Sequence, residues 1–111
     1  KKKFKITKVL MKKKKIRHAL FFAHLCLEKI LKANVVKNTR NIPPRIHNLL
    51  RLAELSDLSL SNDQIIFLRQ FDIYQLEGRY PDSLNISISA ESADKKIQSA
   101  RELYQWLKNQ L

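Results

Sequence analysis

The sequence predicts an all-α fold, an up-and-down antiparallel helical bundle of four long helices plus one short helix, in a single domain spanning residues 1–111. Three observations lead there. Gly 1 and Pro 3 leave few places for tight turns, which disfavours many short strands and favours long helices. Apolar residues recur at helical spacing along most of the chain. Proline- and asparagine-bearing segments mark the stops between these stretches, and an antiparallel bundle is the economical way to pack what lies between them. A chain of 111 residues buries a real but modest core.

A first helix is expected over residues 3–12, with Ile6, Val9 and Leu10 on one face among lysines. Lys12–Lys15 is a self-repelling connector or a frayed helix end. The abrupt lysine-rich start leaves open a longer natural chain and an incomplete first helix. The spacing then predicts a helix over 16–36, where Ile16, Ala19, Leu20, Ala23, Cys26, Leu27, Ile30 and Leu31 form a broad apolar arc. Arg17, His24, Glu28 and Lys32 form a narrow polar stripe, expected to face solvent, with Glu28 and Lys32 at ion-pair spacing. So apolar a helix must be covered on more than one side, as the centre of a bundle or against a second subunit.

The run "KNTRNIPP" is a loop. Pro44 suits the first turn of a short helix over 45–56, with Ile46, Leu49, Leu50 and Ala53 on its apolar face and Leu52 as a further candidate for it. Ser61 and Gln64 have the spacing of a capping box, which opens a helix over 62–77. Phe67, Phe71 and Tyr74 make one stripe on it, and Ile65, Ile73 and Leu76 another. Gly78 supplies the left-handed residue that ends this helix, and Pro81 prevents its resumption. Ser89 caps a last helix over 90–110, in which Ala93, Ile97, Ala100, Tyr104, Leu107 and Leu111 form a packing stripe.

The net charge is +12, and residues 1–27, with nine lysines, Arg17 and no acid, account for +10 of it. Such an end is a solvated face, an arm for nucleic-acid or nucleotide phosphates, or a surface for an acidic partner. The lone Cys26, set among apolar residues, reads as a buried thiol in a reducing, cytoplasmic setting. No apolar run approaches the ~20 residues of a membrane span, and the start lacks the apolar segment of a signal peptide.

HExxH, Walker A, GxGxxG and GxSxG motifs are all absent. One cysteine and three scattered histidines do not suggest a metal site, and no cofactor is expected. His18 reads as a partly exposed helix histidine. His24, four residues before Glu28, is either a hydrogen-bonded structural histidine or a functional one. His47 is either a local contact in the first turn of the short helix or a phosphate ligand.

The blocks "HALFFAHLCLEKILKA", "PPRIHNLLRLAEL", "EGRYPD" and "SARELYQWL", in that order, resemble the HEPN domain (higher eukaryotes and prokaryotes nucleotide-binding) over roughly residues 9–110. The resemblance implies a helical bundle that dimerises. It also implies nucleotide or RNA binding, and a minimal nucleotidyltransferase as partner in a toxin–antitoxin-like pair. Ribonuclease members carry an arginine, four to six intervening residues and a histidine. From Arg79 those positions hold Leu84, Asn85 and Ile86, and no histidine follows His47. Arg40 and His47 match the spacing, although they span a loop and the start of a short helix.

Three readings follow. In the first, the chain is an accessory protein, not an enzyme, that binds a nucleotide or RNA phosphate through Arg79, Tyr80, Lys32 and His47. In the second, it is a metal-independent RNA-cleaving toxin with Arg40, His47 and Arg79 as catalytic candidates, assembled across a dimer. In the third, it is a pure interaction module. Arg79 itself either pairs with a carboxylate such as Asp82 or Glu28, or sets its guanidinium against a phosphate.

Overall fold

The computed structural model describes residues 6, 7, 9, 16–75 and 89–111. Within these the chain is all helical: α1 is Ile16–Thr39, α2 Leu49–Leu55, α3 Asn62–Phe71 and α4 Ala90–Asn109. A 3₁₀ turn, Asp72–Gln75, continues α3. Of the first expected helix, residues 6, 7 and 9 are described and helical. The described residues therefore depart from four long helices plus one short. They hold two long helices of 24 and 20 residues, with helices of 10 and 7 residues beside them.

The long apolar arc makes α1 the centre of the molecule, packed by α4, by α2 and by the 3₁₀ turn. Ala19, Leu20, Ala23, Leu27 and Leu31 are buried there against Leu49 and Leu52 of α2, Leu68 and Phe71 of α3, and Ala100 and Leu107 of α4. Fully burying a leucine stabilises by roughly 1.5–3 kcal/mol. The surplus apolar surface of α1 is thus covered largely within the chain.

The two long helices run parallel, because their C-terminal ends meet. Lys37 Nζ donates to the Gln110 and Leu111 carbonyls at 2.6 and 2.9 Å. Buried Asn34 ties the same ends by donating from Nδ2 to the Leu107 carbonyl at 3.2 Å. Parallel pairing is what an up-and-down order gives to alternate helices.

Boundaries shift where side chains override local preference. α1 runs to Thr39, three residues past expectation, and Arg40 then ends it in the left-handed region at φ 58°. The Arg40 N–H donates to the Val36 carbonyl at 2.8 Å, and a side chain with a Cβ occupies a position glycine usually takes. The short helix begins at Leu49, capped by Asn48, whose Oδ1 accepts from the Arg51 N–H at 2.8 Å. Pro44 and His47 therefore lie in the preceding loop, not in the first turn. α3 stops at Phe71 because the chain tightens to 3₁₀ at Asp72. The expected caps at Ser61 and Ser89 both form. Gly78 and Pro81, expected to end the helix over 62–77, lie outside the described residues, as do Leu76 and Lys12–Lys15. On α4, Leu103 joins the packed face while Leu111 is exposed.

Candidate functional site

The middle of the polar stripe of α1, His24 and Glu28, faces inward, while Arg17 is exposed and Lys32 half-buried. His24 and Glu28, four residues apart, retain only 1% and 6% of their surface, so the expectation of a solvent-facing stripe is corrected for these two. α2, the loop before it and the 3₁₀ turn cover this side of α1 and bring their own polar groups.

Glu28 is the hub. Its two carboxylate oxygens accept from His47 Nδ1 at 3.1 Å each, and Oε2 also accepts from Lys32 Nζ at 3.0 Å. His24 Nδ1 stands 4.0 Å from Oε1. On its other edge, His24 Nε2 donates to Asp72 Oδ1 at 3.0 Å. Asp72 in turn accepts the Leu49 N–H at 2.9 and 3.1 Å. That bond satisfies an N–H at the start of α2 that has no partner inside the helix. Two buried carboxylates thus tie the central helix to the loop, to α2 and to the 3₁₀ turn, in agreement with the rule that buried charges are paired and hydrogen-bonded.

The exposed end of this network is His47, whose side chain is 66% accessible. With Nδ1–H engaged by Glu28, the ring is fixed in orientation and Nε2 is left for a ligand. A neutral imidazole held this way accepts a proton at Nε2. Protonated, it donates to an oxyanion while Glu28 balances its charge. Lys32 adds an ammonium at the same carboxylate and is partly accessible. Among the described residues, no group of three or more His, Cys, Asp or Glu is arranged to hold a metal ion.

The chain matches the HEPN domain family over residues 1–110. The chain belongs to the HEPN domain family. Its members are nucleotide-binding and ribonuclease-type domains. No curated protein and no solved structure matches the chain.

In this HEPN domain, Lys32 and His47 come together at Glu28. Arg40 does not join them. It stands at the end of α1, twelve residues beyond Glu28, which is about 18 Å along the helix axis at 1.5 Å per residue. An arginine side chain does not span that distance, so Arg40 does not reach the Glu28 carboxylate along α1. Arg79 and Tyr80 lie outside the described residues, as does the pairing of Arg79 with Asp82. Sequence reasoning missed Glu28 and Asp72 as the groups that anchor the site. The signal for Glu28 was present in its spacing to His24 and Lys32. The Asp72 contact spans 48 positions and leaves no local trace.

Proposed function

We propose that this HEPN domain is an accessory protein that binds a phosphate of a nucleotide or RNA at the exposed edge of His47, without cleaving it. It acts in the cytoplasm as a homodimer beside a minimal nucleotidyltransferase in a toxin–antitoxin-like pair. The observation that carries this reading is the His47 ring, fixed at Nδ1 by buried Glu28, with Lys32 at the same carboxylate. The family's nucleotide-binding character supports it. Arg79 and Tyr80 join as a guanidinium fork for the phosphate and a ring for the base. The lysine-rich start raises the local concentration of polyanions.

The test is calorimetric titration of the wild type, His47→Ala and Arg79→Ala with ATP and with a short RNA, together with co-purification of the adjacent reading frame's product. Micromolar binding by the wild type that is lost in both variants, with the RNA left intact, is the expected result.

One observation favours a second reading, metal-independent RNA cleavage. A carboxylate-oriented imidazole with an open Nε2 is the arrangement of a general base, and such help contributes roughly 10²–10⁴ in rate. RNA degradation by the wild type that His47→Ala abolishes would replace the first reading with this one.

A further inference from the structure

Between α3 and α4 lies an open groove of about 470 Å³, which none of the residues of the Glu28 network lines. Its apolar wall is Phe67, Leu103 and Trp106, and Phe67 is held from behind by Phe71, with ring centroids 5.1 Å apart. Two carboxylates, Asp63 and Glu102, line it, and no basic side chain among the described residues does. Neither acid has a hydrogen-bond or ion-pair partner among the described residues. Asp63 sits in the first turn of α3, where the helix dipole favours an acid. Glu102 lies well inside α4, where no dipole accounts for it.

On a chain of net charge +12, this is a local reversal of sign beside half-buried aromatic surface. Aromatic faces flanked by carboxylates suit a lysine or arginine side chain. The aliphatic stem lies on Trp106 and Phe67, and the cationic head reaches the acids. We propose that the groove docks a partner protein through a basic amphipathic segment, with a lysine or arginine between Asp63 and Glu102 and a neighbouring aliphatic side chain against Phe67 and Trp106. Glu28, Lys32 and His47 do not line this surface, and the proposal does not rest on phosphate binding at His47.

Trp106 is the single tryptophan of the chain, so its fluorescence reports the groove directly. The experiment titrates the full chain with a helical leucine–lysine peptide, using a leucine–glutamate peptide as control. The expected result is a saturable shift in Trp106 emission that weakens with salt and is absent with the glutamate peptide. In an Asp63→Asn, Glu102→Gln variant of unchanged helicity and thermal midpoint, the peptide should bind at least about tenfold more weakly. An unshifted emission, or equal binding by the double variant, overturns the proposal. So does spermidine that binds as well as the peptide, which makes the groove a small-cation site. Self-association that shifts Trp106 without peptide and is lost in the double variant also overturns it, since a second copy then covers the groove.

Discussion

Glu28 does two jobs that separate by mutation. It satisfies the polar groups gathered on the inner side of α1, and it orients His47. Glu28→Ala leaves Lys32 and His47 without their shared acceptor, and stranding partly buried polar groups costs about 1–3 kcal/mol. His47→Ala removes only a largely exposed ring and should cost well under 1 kcal/mol. Chemical denaturation of both variants, run beside the phosphate titration, checks this. A His47→Ala variant as unstable as Glu28→Ala would make His47 a strut and not a ligand. Tyr74 gives a second residue-level expectation. Burial pushes its hydroxyl above the ordinary value of 10.0. The unfolded chain therefore ionises first, so the contribution of Tyr74 is fully present below pH 10 and is lost as pH rises from there. Thermal midpoints followed from pH 8 to 11 should fall less steeply for Tyr74→Phe than for the wild type. At this scale, what could be read from the sequence was local. Glu28 and Lys32 are four residues apart and pair as their spacing implies, whereas His47 lies 19 positions from Glu28 and reaches it only through the return of the loop.

The helix starts at Ser61 and Ser89 were legible because their determinants lie within three residues. The Ser61 hydroxyl accepts the Gln64 N–H at 3.2 Å, and the Gln64 side chain accepts the Ser61 N–H at 2.9 Å. Ser61→Ala removes the first of these bonds and should destabilise by about 1 kcal/mol, read as a lower denaturation midpoint with unchanged slope. A change within error would mean that α3 is held by its packed face alone. Helix ends were harder to read. α1 runs on through Thr39 because Asn38 Nδ2 donates to the Ser56 carbonyl at 2.9 Å, a contact made across the fold. The start of α2 was misplaced for the same reason, since Asp72, 23 positions away, fixes the Leu49 N–H.

For the whole molecule, the apolar arc of α1 was legible as the centre of the fold, but whether a second subunit was needed to cover it was not. The chain covers most of that arc itself, so the case for a homodimer moves to Val36, Ile42, Ile66 and Ile73. All four are exposed, with Ile42 at 93%. Light scattering at tens of micromolar should give twice the monomer mass, and a strict monomer would count against it. The charge asymmetry supports one further expectation. Residues 1–27 hold +10 of the +12, while the remaining side chains nearly cancel. Association with a polyanion releases counterions in proportion to the phosphates neutralised, so affinity falls steeply with salt. Deleting the start would be a poor test, because Thr7 is buried and its loss disturbs packing. Replacing Lys12, Lys13, Lys14 and Lys15 with glutamine removes charge without shortening the chain. If these lysines neutralise phosphates, the logarithmic salt slope for single-stranded RNA should drop by about 0.7 for each phosphate no longer neutralised, with little change in thermal midpoint. An unchanged slope would make the run a solvated face and leave phosphate recognition to the residues around His47.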